Sequence, residues 1–496
     1  MPNASLSTRA SAGLTAPEVT VEVHLSAGLP AFNVVGLPES TVRESRERVR
    51  SALLNSHFEW PDYRITVNLA PADLPKGGGR FDLPIALGLL AASSQLPAAT
   101  LSNREFYGEL ALDGRIRAGR GLMTAVREAT AAGRMCAVPA ANASALASLP
   151  GSRVLGADDL LSLCGAIKSP QPELTAAQPK EDALYPEPDL VDVRGQHAAR
   201  RALEVAAAGG HHLLMVGPPG AGKTLLASRL PGILPVSTEE ELLTRWLIAD
   251  LVGLPLRHGR PFRSPHHSAS AVSLVGGGAQ AAPGEITLAH GGVLFLDELP
   301  EFPRHVLDTL RQPLESGQVM ISRARGRNAY PANFQLVAAM NPCPCGYLGS
   351  DDTACRCSPD AIARYQMRVS GPLLDRIDLH LTLERQRAAQ ILYADDSAES
   401  SADVRKRVAT VRERQLARQG CANSALPAEA VLPACALEPA TQRWFQEACD
   451  QLQISARGIH RCLRVARTLA DMAAEPRVEK PALLEAIGYR PTTVRG

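Results

Sequence analysis

The apolar run Leu213-Leu214-Met215-Val216 leads directly into Gly217-Pro218-Pro219-Gly220-Ala221-Gly222-Lys223-Thr224, and Leu225-Leu226-Ala227 follows. A strand, a glycine-rich loop and a helix start, in that order, constrain the chain more than any other stretch, because they fix a phosphate-binding loop inside an α/β layer fold. Gly217, Gly220 and Gly222 permit backbone angles and a close approach that a side chain would block. The freed N–H groups form a nest for phosphate oxygens, and the helix that follows adds its positive end. Lys223 is placed to reach the β- and γ-phosphates, and the Thr224 hydroxyl to ligate Mg²⁺. The expected nucleotide-binding residues are therefore Gly217, Pro218, Pro219, Gly220, Ala221, Gly222, Lys223 and Thr224. A plain glycine turn is the alternative reading.

Other segments end in polar residues that suit the same chemistry. Gly292-Val293-Leu294-Phe295-Leu296-Asp297-Glu298 reads as a buried strand closing on two carboxylates, a Walker B arrangement. Asp297 would hold the Mg²⁺ shell, and Glu298 would polarise the water that attacks the γ-phosphate. The strand Phe334 to Met340 ends at Asn341, a residue type that can sense the γ-phosphate or place that water. In Leu373-Leu374-Asp375-Arg376-Ile377-Asp378-Leu379, Arg376 is a candidate arginine finger for a neighbouring subunit. Its flanking aspartates also allow an ordinary surface salt bridge. Arg457 opens a predicted helix and can reach phosphate from there, or stand as a solvated helix arginine. The candidate catalytic set is Glu298, Asn341, Arg376 and Arg457.

At 496 residues the chain has room for two to four domains. The formal net charge is only +1, so a basic surface for a polyanion would have to be local. No apolar stretch reaches the ~18 residues that a membrane helix needs. Residues 1–13 are small and polar and lack an apolar signal-peptide core, which gives a cytoplasmic expectation without a membrane partner. Of ten cysteines, six are scattered singly, so no disulfide framework is expected. Residues 1–168 mix strands and helices, with period-two alternation at Val19–Leu25 and Arg64–Leu69. Residues 169–188 carry Pro170, Pro172, Pro179, Pro186 and Pro188 and read as a linker. Residues 189–385 carry the phosphate loop among alternating strands and helices, and 386–496 show helical periodicity. No internal repeat is evident.

Two insertions stand out. One runs from about Ser264 to Ile286, with Gly276-Gly277-Gly278 near a loop tip. The other, Gln318 to Tyr330, alternates apolar residues around Gly326 and predicts a β-hairpin with Arg323, Arg325 and Arg327 near its tip. No acidic residue lies between Glu315 and Asp351, so these arginines form a local positive feature that could track a phosphate backbone without reading sequence. A solvated or intersubunit hairpin is the alternative. Cys343, Cys345, Cys355 and Cys357 form a C-x-C…x9…C-x-C array that suits a structural tetrahedral Zn²⁺. The adjacent His266-His267 is read as structural rather than as a metal pair.

The order of these motifs resembles an AAA+ ATPase of the magnesium-chelatase-like branch, and more closely the ComM/YifB family. The resemblance rests on the phosphate loop, Phe295-Leu296-Asp297-Glu298-Leu299-Pro300-Glu301, Asn341-Pro342-Cys343-Pro344-Cys345-Gly346, Leu373 to Asp378 and Ser455-Ala456-Arg457. It also rests on Val35-Gly36-Leu37-Pro38-Glu39, Asn68 to Lys76, Pro265-His266-His267-Ser268 and Gly284-Glu285-Ile286. It runs from near residue 6 to near 490. It implies an AAA+ P-loop core at 189–385, a C-terminal helical lid at 386–496 and an N-terminal Lon-protease-like α/β domain at 1–168. It further implies ATP and Mg²⁺ as cofactors, a homo-hexameric ring, and a motor acting on single-stranded or branched DNA without sequence preference. ComM-type branch migration of recombination intermediates during natural transformation, alongside recombination proteins, is the function implied, with the hairpin arginines in the ring pore.

The front segment is expected to be non-proteolytic. Pro75-Lys76-Gly77-Gly78-Gly79-Arg80-Phe81-Asp82 lies where Lon-like proteases carry their nucleophilic serine, yet contains none, and Leu122 to Gly133 contains no lysine. A Ser–Lys dyad needs both. A scaffold that contacts DNA or assembles the ring is the reading that remains. The second functional reading is a chelatase-type AAA+ chaperone that remodels a protein partner; a chelatase motor subunit shares the motor plan but is expected to lack such a front domain. An ATP-dependent protease is disfavoured by the missing dyad.

Overall fold

The structure is a computed structural model. It describes residues 3–169, 171–176, 188–278, 281–323, 326–349, 354–386 and 399–490, with the side chains of 322, 323, 326 and 327 outside the description. Most of the proline-rich stretch 169–188 and Arg325 therefore lie outside the described residues, as do the side chains of Arg323 and Arg327. The chain divides into two compact units. One comprises Met1–Ala183, Leu242–Arg257 and Met320–Tyr330, the other Leu184–Glu241, His258–Val319 and Pro331–Gly496.

The first unit contains β1 (Asn3–Arg9), β2 (Glu18–Ser26), β3 (Ala31–Val35), β4 (Arg64–Ala70), β5 (Arg104–Phe106), β6 (Glu109–Leu110), β7 (Ile116–Arg117), β8 (Met135–Pro139) and β9 (Val154–Ala157). Seven of them form one sheet in the order β3-β4-β2-β1-β5-β8-β9. β1, β2 and β4 pair antiparallel, and β5, β8 and β9 continue the sheet in parallel. The alternation expected of β2 is present: Val19, Val21, Val23 and Leu25 are buried while Glu18, Thr20, Glu22 and His24 take the other face. Burying each such side chain contributes about 1.5–3 kcal/mol.

Helix Asp82–Ala92 packs on β1 and β2. It can lie close because a Cβ on Gly88 would fall 2.6 Å from Val23 Cγ2. The Lon-like block from Pro75 to Asp82 is occupied by structural polar groups. The Lys76 amine is buried and donates to the Pro71 carbonyl. Asp82 accepts from Arg48 Nε at 2.7 Å and from the Leu110 N–H at 3.3 Å. Burial nevertheless lifts the Asp82 carboxyl to about 6, with the Arg48 hydrogen bond and charge opposing the rise.

Residues 242–257 and the hairpin residues 320–330 group with this first unit. Leu243, Trp246, Leu247 and Leu256 join the core around Leu122, Met123 and Val126, and Asp250 accepts the Met123 N–H at 2.7 Å. The Gln318–Tyr330 hairpin is present, and Gly13 sits against the Asn328 side chain.

The second unit holds β10 (Leu213–Val216), β11 (Phe262–Arg263), β12 (Gly276–Gly277), β13 (Ala282–Pro283), β14 (Val293–Leu296), β17 (Gln335–Met340) and β18 (Leu379–Thr382). β15 (Gln318–Arg323) and β16 (Gly326–Pro331) are the hairpin arms. An all-parallel sheet runs β11-β14-β17-β10-β18. The Gly276–Gly278 insertion forms a small hairpin from β12 and β13.

The C-terminal residues are helical, at Ser401–Gln419, Ala428–Cys435, Pro439–Gln451, Ala456–Met472 and Lys480–Gly488. One apolar core joins the sheet to these helices through Leu213, Met215, Phe295, Val337 and Leu379 on one side and Val404, Val408, Leu463 and Leu469 on the other. Inside it runs a polar chain. His211 Nε2 meets Thr468 Oγ1 at 2.8 Å, Asn423 Nδ2 donates to Asp471, and Arg418 pairs with Asp471.

Two histidines of this unit give a test. His212 Nδ1 accepts the Leu336 N–H at 3.0 Å, which requires the neutral ring, and burial holds His212 and His380 down at about 4. Below pH ~6.5 the unfolded chain binds protons that the folded unit refuses, so stability falls with pH through the window from ~6.5 to ~4. Urea unfolding of the second unit is expected to show a lower midpoint at pH 5 than at pH 7.5. Restoration of part of that loss in His380→Gln would assign it.

A second test concerns the first unit. Gly36 has φ +96, and a Cβ there would fall 2.1 Å from the Leu69 carbonyl oxygen. Gly36→Ala is expected to destabilise this unit by about 1–3 kcal/mol in thermal unfolding.

Candidate functional site

In an open parallel sheet, ligands collect beyond the carboxyl ends of the strands. Here β10, β17 and β14 are neighbours, with Val216 opposite Met340 and Leu296 opposite Ala338. Their ends therefore bring three separate sequence motifs together. From the loop after β10, Lys223 Nζ donates to Gly217 O at 2.7 Å, to Pro218 O at 3.0 Å and to Asn341 Oδ1, beyond β17, at 3.0 Å. Thr224 Oγ1 donates to Asp297 Oδ2, beyond β14, at 2.8 Å. Burial holds the Lys223 amine below its ordinary value, and the Asp297 and Glu298 charges offset part of that shift.

The glycines explain the loop. Gly220 and Gly222 sit at φ +77 and +82, where an L side chain is strained. Gly217 lies so close to the end of β18 that a Cβ would fall 2.7 Å from Leu383 O.

Glu298 adopts φ +51 just past β14, its N–H donating to Asp297 Oδ1 at 2.9 Å. Its carboxylate faces His267, with Nδ1 3.2 Å from Oε2. The His266 ring lies 4.0 Å from the His267 ring, centroid to centroid, and its Nδ1 meets Ser268 Oγ. The histidine pair is thus tied to the Walker B carboxylate, which sequence reasoning missed. The sequence carried the pair only within the Pro265-His266-His267-Ser268 resemblance, and it begins three residues past β11, the strand beside β14.

A second missed residue is Gln196. It stands at φ +52 before helix His197–Gly209 and donates through Nε2 to Ala221 O at 3.1 Å. It borders a cavity of about 770 Å³ lined also by Arg194, His197, Leu383 and Arg385. Two of its lining residues, Gln196 and Leu383, touch the phosphate loop at Ala221 and Gly217. The short Arg194-Gly195-Gln196 sequence before an alanine-rich helix carries no strong signal by itself.

Arg376 and Arg457 lie apart from this cluster. Arg376 is mostly buried, with Nη1 donating to Pro372 O at 2.7 Å and Nη2 paired with Glu315. Arg457 is exposed in the first turn of helix Ala456–Met472, 3.9 Å from Asp375. Among the described residues, neither guanidinium hydrogen-bonds the loop. Arg461 of the same helix, however, donates to Arg376 O at 2.8 Å and to Asp378 Oδ1 at 2.6 Å.

Cys343, Cys345, Cys355 and Cys357 come together, all four sulfurs within 4.8 Å of one another. Three of the separations are 3.4–3.6 Å, close to the ~3.8 Å edge of a tetrahedron with 2.3 Å Zn–S bonds. The Tyr347 and Arg356 backbone N–H groups draw the Cys345 thiol down to about 6. At Cys355 the Cys357 N–H works in the same direction, but desolvation and the neighbouring sulfurs outweigh it and push that thiol up to about 12. Deprotonating the remaining thiols as well would require a cation among the four sulfurs. Thr224 and Asp297, whose oxygens are 2.8 Å apart, are the hard oxygen donors that suit Mg²⁺.

A parallel sheet with a glycine loop, paired carboxylates and a helical C-terminal segment defines an AAA+ P-loop core of magnesium-chelatase type. Residues 189–391 match the family model "Magnesium chelatase, subunit ChlI", and 398–490 match its C-terminal model. Residues 21–142 match "Subunit ChlI of Mg-chelatase". The chain is 48% identical over 493 residues to YifB of Salmonella typhimurium, covering 97% of this chain and 96% of that one. It is equally 48% identical, with the same coverage, to the competence protein ComM of Haemophilus influenzae. A weaker likeness, 23% over 197 residues, links it to Lon protease 2 of Bacillus subtilis, spanning 34% of this chain and 36% of that protein. The chain belongs to the ComM/YifB family. Because residues 21–142 match a model described as a chelatase subunit, the presence of the front segment does not separate the motor and chaperone readings, contrary to expectation.

Lys223→Ala removes a charged donor from the phosphate site. It is expected to weaken MgATP binding by at least about tenfold, read by titration with a fluorescent ATP analogue, while the far-ultraviolet circular dichroism is unchanged.

Proposed function

We propose that this protein is an ATP-driven DNA motor that moves branch points in recombination intermediates during natural transformation. The observation that carries the reading is the convergence of Lys223, Thr224, Asp297 and Asn341 at adjacent strand ends, in a chain 48% identical to a competence protein. Lys223 and the loop N–H groups would bind the phosphates. Thr224 and Asp297 would hold Mg²⁺, which neutralises charge on the transferring phosphoryl group. Glu298 would polarise the attacking water and Asn341 would orient it. His267, now on the Glu298 carboxylate, must yield before that carboxylate can turn to water.

The site is completed in a homo-hexamer, with Arg376 supplied by the neighbouring subunit and Arg457 acting from the helical lid. Arg323, Arg325 and Arg327 would track the phosphate backbone of single-stranded or branched DNA, independent of sequence. Zn²⁺ on the four cysteines would be structural. The setting is the cytoplasm, alongside recombination proteins; no described helix is long and apolar enough to cross a membrane.

A second reading, an AAA+ chaperone that remodels a protein partner, is favoured by the chelatase descriptions of all three matching family models. A synthetic four-way junction separates them. ATP-dependent branch movement by the wild type, absent in Lys223→Ala, is expected. No movement, with ATPase stimulated only by a folded protein, would support the chaperone instead.

The hairpin is tested separately. Arg325→Ala/Arg327→Ala is expected to weaken DNA binding and to reduce the slope of log affinity against log salt by about 1.4 for single-stranded DNA, with basal ATP hydrolysis retained. Unchanged DNA affinity and salt slope would remove the hairpin from the DNA path.

A further inference from the structure

The four-cysteine cluster does not stand apart from the nucleotide site. Cys343 is buried and follows Asn341 by two residues, and Asn341 Oδ1 accepts from the phosphate-loop lysine at 3.0 Å. The next turn closes on the phosphate loop itself. Gly346, one residue past Cys345, sits at φ +85, and a Cβ built on it would lie 2.5 Å from Pro219 Cδ and 3.8 Å from Asn341 Cγ. From behind, Gln366 Nε2 donates to Pro342 O at 3.1 Å. The segment 341–346 thus touches the phosphate loop at Pro219 and Lys223, with its path set at Cys343 and Cys345.

We propose that metal held by Cys343, Cys345, Cys355 and Cys357 is an allosteric effector of nucleotide binding, acting through Asn341 and Gly346 on the phosphate loop. The inference rests on the phosphate-loop reading above. Two of the four ligands lie between Asn341 and Gly346, the residues that touch the loop, so fixing their sulfurs fixes Asn341 and Gly346. Releasing them frees the same atoms. Whatever tightening the metal gives to nucleotide, nucleotide must give to metal by the same factor, because coupling free energy is reciprocal.

The test uses the full chain loaded with Zn²⁺. Nucleotide affinity is measured by fluorescent ATP analogue in the loaded protein and after chelator stripping. Zn²⁺ affinity is measured by competition with a chromogenic chelator, with and without a non-hydrolysable ATP analogue. Both ratios are expected to be equal and at least about fivefold. Gly346→Ala is expected to keep Zn²⁺ stoichiometry near one per chain but to weaken nucleotide binding. Because stripped protein can unfold, a third measurement uses Co²⁺ in place of Zn²⁺. Its thiolate absorption bands are expected to shift on nucleotide addition and to saturate with the nucleotide's own affinity.

Equal nucleotide affinity in folded stripped and loaded protein, or Co²⁺ bands indifferent to nucleotide, would overturn the coupling while leaving the phosphate-loop reading intact. Nucleotide binding by a chain that takes up no Zn²⁺ or Co²⁺ would do the same. A metal-loaded chain that binds no nucleotide would overturn both.

Discussion

The second unit is organised by the neighbour relation of β10, β17 and β14. Parallel strands put all their carboxyl ends on one edge. This order brings an amine to an amide 118 residues away and a hydroxyl to a carboxylate 73 residues away. The Lys223–Asn341 and Thr224–Asp297 bonds cross directly between strand ends. Any change of sheet order would separate them. The remaining features serve to hold or read this edge: the glycines permit the loop, and β11 delivers His267 to Glu298.

Around that edge, the contacts that matter are short and specific rather than numerous. Gln196 holds the loop at Ala221, Leu383 packs against Gly217, and Gly346 packs against Pro219. Each comes from a different stretch of chain, so the loop is braced from several sides. A phosphate loop on a braced edge loses less conformational freedom on binding than a free one, which is the physical content of pre-organisation.

Legibility followed locality. The phosphate loop, the two carboxylates, the strand ending at Asn341 and the Gln318–Tyr330 hairpin were readable because each signal lies within a run of about ten residues. Their meeting was readable only through the family resemblance, since strand order is not written in any one segment. Gln196 and His267 were missed for the same reason: a glutamine before a helix and a histidine in a loop gain meaning only from what lies across space. The division of the chain was least legible. Residues 242–257 and 320–330 fall inside the stretch read as one ATPase core, yet both group with the first unit, where Leu243, Trp246 and Leu247 pack and Asp250 accepts the Met123 N–H. Long-range packing, not local pattern, decides such membership.

Arg376 shows how a residue can be both anchored and exchangeable. Its backbone carbonyl accepts from Arg461, which also holds Asp378. Asp378 is buried. Burial alone would raise its carboxyl, but the hydrogen bond from His211 and the charges of His211 and Arg461 hold it well below the usual carboxylate range. Removing one partner of such a buried pair is costly, so the mount is firm. The guanidinium is held by Glu315, whose side chain is 60% exposed, and by the Pro372 carbonyl at 2.7 Å. A phosphate presents a larger charge in a fork-shaped geometry that arginine matches. Trading Glu315 for phosphate would also require the guanidinium to leave the Pro372 carbonyl, and the Arg461 that holds the mount lies on the helix that bears Arg457. In the proposed reading, this helix would link the positions of Arg376 and Arg457.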